Sequence, residues 1–221
     1  MSSIRVLIAD DHQFFRRGLV AACEAEGFEV VGEAENGQQA VELARQQGPD
    51  VILMDIKMPI IDGVQATRLI VEENPAARVI ILTTFQKDEY VFDALRAGAS
   101  GYLIKDVREE TLARGVRTVA QGGVLLDDQV AAQMIGEFRR QGQADPAAID
   151  SVERLTRGER EVLQLVAEGK DNAEIAADLH LSEKTIANRM SFIYSKLRLK
   201  NRVQAALYAL RRGWVDLHPD E

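Results

Sequence analysis

Short apolar runs alternate with longer amphipathic segments throughout the first half of the chain. The apolar or β-rich runs cover residues 4–9, 28–34, 50–54, 78–82 and 100–104. Segments with helical spacing of apolar positions follow near residues 13–26, 36–47, 62–74, 86–98 and 106–121. Runs of this length between helices predict an α/β fold, in which a doubly wound, flavodoxin-like, five-stranded parallel sheet has helices on both faces.

The second half of the chain has only helical periodicity. Thr156 is followed three residues later by Glu159, the spacing of a capping box, and the helix opened there extends to Ala167. A second helix over residues 172–179 is followed by a tight turn, and Ser182 then caps a third helix. Apolar residues recur at helical spacing in the third helix, namely Ile186, Met190, Ile193 and Leu197. This arrangement predicts a helix-turn-helix in a small all-α domain.

The pattern loosens between the two halves. Residues 127–141 are predicted to form one further helix, and residues 142–150, with Gly, Pro and small side chains, have the composition of a linker. We therefore predict a first domain over residues 1–124, a linker with a helix over 125–151, and a second domain over 152–221.

The charge is distributed unevenly along the 221 residues. The whole chain has a net charge of -8, yet from Lys184 to Arg212 there are eight basic residues and no acidic one. An acidic first half and a locally basic end indicate two domains with different partners. Cys23 is the single cysteine and lies among apolar residues, so we expect it in the core, with no disulfide or cysteine-based metal site.

The chain begins with three residues that lead directly into an apolar strand, without a basic and apolar signal segment. No apolar run reaches the roughly 18 residues of a membrane-spanning helix. We therefore expect a cytoplasmic protein without a membrane partner.

Polar side chains stand at the carboxyl ends of four of the five predicted strands. They are Asp10 and Asp11 after the first, Asp55 after the third, Thr83 and Thr84 at the end of the fourth, and Lys105 at the end of the fifth. Ligands of parallel sheets bind at this edge. Three converging carboxylates suit a hard cation, Mg²⁺ above all, while a lysine and a hydroxyl suit a phosphoryl group. Asp55 is the expected nucleophile, since the adjacent Asp10 and Asp11 are better placed to hold metal.

Three segments that contain these residues resemble the receiver domain of NarL/FixJ-type response regulators: IRVLIADDH (4–12), MDIKMPIIDG (54–63) and GASGYLIKD (98–106). The resemblance implies that Asp55 accepts phosphate from a sensor histidine kinase. It implies that Asp10, Asp11, Asp55 and the backbone carbonyl of Lys57 bind Mg²⁺.

The same resemblance gives the fourth and fifth strands a switching role. Thr83 and Lys105 match the residues that contact the phosphate, and Thr84 is a neighbouring hydroxyl. Tyr102 matches the aromatic residue that changes rotamer on activation. Phosphate adds charge and acceptor oxygens at Asp55, so Thr83 can move toward it and open space for Tyr102.

The predicted third helix of the second domain carries polar and basic residues opposite its apolar face. Those suited to DNA bases are Lys184, Thr185, Asn188, Arg189 and Ser191, and those better placed for DNA phosphates are Lys196, Lys200 and Arg202. The segments EREVL (159–163), NAEIA (172–176), LSEKTI (181–186) and NRVQAA (201–206) resemble the LuxR-type DNA-binding domain. That resemblance covers residues 152–213 and implies binding to double-stranded promoter DNA.

Two further features of this resemblance concern the target and the assembly. Ala187 and Arg189 stand where the family often has Lys and His, so the target sequence cannot be taken from relatives. The last predicted helix carries Ala205, Ala206 and Ala209 in a pattern suited to close helix pairing. By resemblance this helix would form a homodimer on an inverted-repeat site. RNA polymerase is a further candidate partner.

Two other functions share parts of this pattern. Haloacid-dehalogenase-type phosphohydrolases also use a strand-end Asp with Mg²⁺ and Lys, but they need a second Asp where this chain has Lys57. This argues against a turnover enzyme. A receiver domain whose helical tail binds only another protein is the second possibility, and a DNA-binding assay separates it from a transcriptional regulator.

Overall fold

The computed structural model describes residues 3–84, 88–125, 155–197 and 199–215, without the side chains of residues 88–92 and 211. The chain divides into two compact units, one with the sheet and one with the C-terminal helices. The helix predicted over residues 127–141 and the linker over 142–150 lie outside the described residues, so the domain boundaries remain predictions.

The first unit contains a five-stranded, fully parallel sheet. Its strands are β1 (Arg5–Ala9), β2 (Glu29–Ala34), β3 (Val51–Asp55), β4 (Val79–Thr83) and β5 (Gly101–Ile104). They lie in the order β2-β1-β3-β4-β5, and all neighbouring pairs are parallel. The predicted fold class is confirmed. The strand order reverses between β1 and β3, and such a switch point opens a crevice at the carboxyl ends of these two strands.

Five helices cover the two faces of this sheet. They are α1 (Gln13–Ala25), α2 (Gly37–Gln47), α3 (Gly63–Glu73), α4 (Asp88–Ala97) and α5 (Glu109–Ala120). The side chains of Asn36 and Asp62 cap α2 and α3 by accepting hydrogen bonds from backbone N–H groups in the first turn of each helix. Strands β3 and β4 are buried along their whole length, as expected for central strands covered on both faces.

Cys23 lies in the core of this unit, as predicted. Its side chain is buried on α1. Burial raises the pKa of the thiol from 9.0 to about 11, and the charge of Glu24 adds to the effect. The thiol is therefore protonated and shielded at neutral pH.

In its described residues the second unit is helical, with α6 (Arg157–Ala167), α7 (Asn172–Asp178), α8 (Glu183–Leu197) and α9 (Arg202–Arg211). The predicted capping box of Thr156 and Glu159 opens α6, and Asp171 with Glu174 forms a second one at α7. The chain turns between α7 and α8 at His180, which has a φ of 53°. The helix-turn-helix arrangement is confirmed.

The predicted apolar face of α8 forms the centre of this unit. Its four residues are Ile186, Met190, Ile193 and Leu197, and all are buried. They share one core with buried residues of α6, α7 and α9. None of the helices in the described parts of the chain is long and apolar enough to cross a membrane.

Gly63 marks a point where helix α3 presses against the end of β3. Its N–H donates to the carbonyl of Ile56 at 2.8 Å, and a Cβ added to it would lie 1.9 Å from the carbonyl oxygen of Asp55. A side chain at this position would therefore displace the backbone of the predicted phosphate acceptor.

We predict that Gly63→Ala lowers the free energy of unfolding by about 1–3 kcal/mol, because the overpacked backbone must move. Gly18→Ala in α1 is the matched control, since nothing lies within 4 Å of its added Cβ. That change should raise the free energy of unfolding by up to about 1 kcal/mol, since Ala favours a helix interior over Gly. Urea unfolding followed by circular dichroism measures both, and equal effects would contradict the prediction.

Candidate functional sites

Three predicted carboxylates meet at the carboxyl ends of β1 and β3. Ligand atoms of Asp10, Asp11, Asp55 and His12 all lie within 4.8 Å of one another. Asp10 is fully buried, and Asp55 is 4% exposed. The register of the two strands, with Ala9 beside Met54, places these carboxylates side by side.

His12 is an addition to the predicted set. The ring Nδ1 of His12 lies 2.8 Å from Asp11 Oδ1, and the side chain is largely exposed. The backbone N–H of His12 donates to Asp10 Oδ1 at 2.8 Å. Its position directly after Asp10 and Asp11 is the only sequence signal that could have pointed to it.

Lys105 brings a positive charge to the two buried carboxylates. Its Nζ lies 2.6 Å from Asp10 Oδ2 and 2.9 Å from Asp55 Oδ2. It also lies over the ring of Phe15, 4.7 Å from the ring centre. The backbone of Lys105 donates to the carbonyl of Thr83 at 2.7 Å, which fixes the end of β5 beside β4. The predicted Lys105 and Asp55 are therefore in direct contact.

This single ammonium does not fully compensate the two carboxylates. Burial raises the pKa of Asp55; contacts with Lys105 and the Ile56 N–H oppose the rise, the charge of Asp10 adds to it, and the pKa remains above its ordinary value. Among the described residues, Asp10 Oδ2 accepts no hydrogen bond, and its contact with Lys105 is an ion pair. A buried carboxylate oxygen without a hydrogen bond, within an oxygen-rich cluster, fits a hard divalent cation such as Mg²⁺.

Lys57 lies two residues beyond Asp55, in the loop that leads to α3, and its side chain is exposed. The assignment of its backbone carbonyl as a metal ligand stays a prediction.

Thr83 and Tyr102 form a buried pair next to the carboxylates. Each has 1% of its surface exposed, and a hydrogen bond joins the two side chains. Burial raises the pKa of Tyr102 from 10.0 to about 12, and the hydrogen bond with Thr83 opposes part of the rise. Tyr102 thus lies inward and is coupled to the strand end that carries Thr83. Thr84, by contrast, is exposed.

Helix α8 of the second unit presents the predicted polar face. Lys184, Asn188 and Ser191 are exposed on the side opposite the buried residues. Thr185 is half-buried, and its hydroxyl oxygen lies 2.8 Å from that of Ser182 at the start of the helix. The side chain of Arg189 lies beside the first turn of α6, with a guanidinium nitrogen 3.5 Å from where a Cβ on Gly158 would stand.

Lys196 is held by a side chain of its own domain. Its Nζ donates to both carboxylate oxygens of Glu159, at 2.5 and 2.7 Å. Burial alone would raise the pKa of Glu159, but hydrogen bonds from Lys196 and Thr156 outweigh it and lower the pKa. A contact between Lys196 and a DNA phosphate would compete with this pair, whereas Lys200 is half-buried and outside it.

The predicted phosphate contact of Arg202 is wrong for this structure. The side chain is 6% exposed and donates to Asn172 Oδ1 at 2.8 Å and to the backbone carbonyl of Lys170. Burial lowers the pKa of Arg202, although the nearby Tyr194, Asp171 and Glu174 oppose the effect. The guanidinium satisfies groups at the start of α7 inside the domain, so it is not a surface cation.

The predicted pairing face of the last helix also needs correction. Ala205 and Ala209 are fully buried, and Ala206 is half-buried against the same core. Helix α9 packs on α6 of its own unit. The small residues do permit close helix packing, but the partner of Ala205 and Ala209 is inside the domain. A role of the half-buried Ala206 in a homodimer stays a prediction.

These two sites define a class of protein, an aspartate-bearing receiver domain joined to a helix-turn-helix domain. Residues 6–117 match the family "Response regulator receiver domain", and residues 153–209 match "Bacterial regulatory proteins, luxR family". The chain belongs to the two-component response regulators with a LuxR-type DNA-binding domain, which are transcriptional regulators. The predicted resemblance is confirmed.

Similar proteins match almost the whole chain. "Transcriptional regulatory protein LnrK" of Bacillus subtilis (strain 168) is 40% identical over 95% of this chain and 98% of its own length. "DNA-binding transcriptional activator DevR/DosR" of Mycobacterium tuberculosis is 38% identical over 93% of this chain and 94% of its own. The response regulator RcsB of Salmonella typhimurium has a similar structure, with a TM-score of 0.55 and 26% identity, over 95% of this chain and 99% of the other.

Tyr102 should make stability depend on pH in the alkaline range. The folded protein holds the phenolic proton to about pH 12, whereas the unfolded chain releases it near 10. The contribution of the buried, neutral phenol to the free energy of unfolding is complete below pH 10. It is lost as the pH rises toward 12, with a slope of at most about 1.4 kcal/mol per pH unit. Urea unfolding across this range should show a steeper loss for the parent than for Tyr102→Phe, and equal slopes would contradict the assignment.

Arg202→Ala should lower the free energy of unfolding by about 1–3 kcal/mol, because it leaves partly buried acceptors on Asn172 and Lys170 without their donor and removes a buried side chain. Lys184→Ala, an exposed change in the same unit, should alter stability by less than about 0.5 kcal/mol. Urea unfolding followed by Trp214 fluorescence measures both. If Arg202→Ala kept the parental stability and bound DNA more weakly, the result would support the original prediction that Arg202 contacts a DNA phosphate.

Proposed function

We propose that a sensor histidine kinase transfers a phosphoryl group to Asp55 and that this transfer controls binding to promoter DNA. The observation that carries the proposal is the buried contact of Asp55 with Lys105 beside Asp10. A nucleophilic carboxylate, a fixed cation and a neighbouring hydroxyl are the groups that phosphoryl transfer to a carboxylate requires.

In the proposed step, one Asp55 carboxylate oxygen forms a bond to phosphorus while the bond from phosphorus to the kinase histidine nitrogen breaks. Asp10, Asp11, Asp55 and the Lys57 carbonyl would hold Mg²⁺, which neutralises charge on the phosphoryl oxygens when it is bound. Lys105 pairs with one of those oxygens, and Thr83 donates a hydrogen bond to another.

The output of the step passes through Thr83 and Tyr102. A shift of Thr83 toward a new phosphoryl acceptor alters its hydrogen bond with Tyr102, and both residues lie in strands that border α4 and α5. The surface that the receiver domain offers to other molecules then changes. We propose that this change favours a homodimer that binds an inverted-repeat site in the cytoplasm and acts on RNA polymerase there.

We further propose that the protein is a phosphate acceptor rather than a turnover enzyme. The position two residues after the nucleophile, where a phosphohydrolase of the haloacid-dehalogenase type has its acid/base Asp, carries the exposed Lys57. The carboxylate that acts as the acid/base group in those enzymes therefore has no counterpart at this position.

The test exposes the full chain to acetyl phosphate and Mg²⁺ and measures its mass and its affinity for DNA selected from a random duplex library. We expect one added phosphoryl group, labile to hydroxylamine as an acyl phosphate is, and tighter binding to a palindromic site. Asp55→Asn should show neither effect, whereas Asp93→Asn, the same change at an exposed aspartate of α4, should behave as the parent.

Each other outcome has a separate meaning. Specific DNA binding that phosphorylation does not alter removes the switch and leaves a transcriptional regulator. Phosphorylation without specific DNA binding indicates a helical domain that binds another protein. If Asp55→Asn were phosphorylated to the parental level, the phosphate acceptor would be a residue other than Asp55.

A further inference from the structure

Phe192 stands out on helix α8 because a large apolar ring is left in solvent. Phe192 is 65% exposed, and no other large hydrophobic residue is exposed among the described residues of the second unit. It follows Asn188 by four residues, so the two are neighbours on one face of the helix. The domain core does not account for this ring, since the buried residues of α8 lie on another side of the helix.

The fully exposed positions in the middle of α8 are uncharged. They are Ala187, Asn188, Ser191, Phe192 and Ser195. Two basic residues adjoin Phe192 on the helix, Arg189 three residues before it and Lys196 four residues after it, and both are half-buried. Lys196 is held by Glu159, and Arg189 lies beside Gly158. The exposed positions in the middle of this face therefore lack the Arg or Lys side chains that read guanine in the major groove.

The groups that remain have a defined preference among bases. An asparagine amide can form two hydrogen bonds with adenine, and an apolar side chain contacts the methyl group of thymine. Asn188 makes no hydrogen bond with another described residue, so its amide is available. The Ser191 hydroxyl already donates to the Ala187 carbonyl at 3.1 Å, which leaves it without a hydrogen to donate to a base.

We propose that α8 reads A·T base pairs, with Asn188 on an adenine and Phe192 on the C5-methyl group of a nearby thymine. This inference rests on the proposed DNA binding and adds which base pairs the protein prefers. Residues four apart on a helix are about 6 Å apart, and base pairs are stacked about 3.4 Å apart, so the two side chains reach base pairs one or two steps from each other.

The test begins with duplexes that the full chain selects from a random library. We expect A·T pairs at the centre of each half-site. Thymidine is then replaced by deoxyuridine at single positions, which removes one methyl group and leaves every hydrogen bond in place. For the parent protein, each replacement should weaken binding about fourfold, the value for burying one methyl-sized group.

The variants separate the two contacts. Phe192→Ala should bind thymidine and deoxyuridine duplexes equally, and Phe192→Leu should keep part of the difference. Asn188→Ala should lose about tenfold or more of its preference for adenine at one position. Leu69→Ala, which removes an exposed apolar side chain from α3, is the matched control and should retain the parental sensitivity.

The remaining outcomes overturn the inference in distinguishable ways. A selected site with G·C pairs at its centre, or parental binding unaffected by deoxyuridine at every position, refutes the proposed readout and leaves DNA binding intact. A Phe192→Ala variant that changes self-association but keeps the parental sensitivity to deoxyuridine assigns the ring to a protein contact. Failure to select any sequence refutes the proposed function itself, and the inference with it.

Discussion

The ammonium group of Lys105 lies between two carboxylates that would otherwise repel each other inside the protein. Asp10 follows β1, Asp55 ends β3 and Lys105 follows β5, so one ionic contact joins the ends of three strands. Buried charges are tolerated only where they are paired, which makes the packing of this sheet edge depend on its charge balance. A change in charge at Asp55 therefore acts on the ends of these strands, and Thr83 and Tyr102 lie on the two strands that follow β3 in the sheet.

Much of this arrangement could be predicted because the sequence pattern of a parallel sheet determines where its residues meet. Apolar runs located the strands, and the residues directly after them had to converge at one edge, as Asp10, Asp55 and Lys105 do. The buried and exposed sides of α8 followed from helical periodicity for the same reason. These predictions depended on neighbours within an element, which is information that a single sequence contains.

The failures concern long or small side chains whose partners are distant in sequence. Arg202 is a cation in a basic segment, but its acceptors belong to Asn172 and Lys170, about thirty residues earlier. Ala205 and Ala209 have the spacing of a helix-pairing face, and the pattern alone does not distinguish α6 of the same domain from a helix of a second molecule. Composition indicates that a residue can form a contact, whereas the tertiary fold decides with which group it forms.

The pair of Glu159 and Lys196 has a consequence for exchanging parts between related regulators. Glu159 caps α6 and at the same time binds Lys196 near the end of α8, so the first helix of the domain and the helix predicted to contact DNA share one carboxylate. A chimaera that receives only a foreign α8 would lose this partner unless the incoming helix also carries a lysine at position 196. The unit that can be transplanted with its geometry intact is thus the whole helical domain, and α8 alone is not a self-contained module.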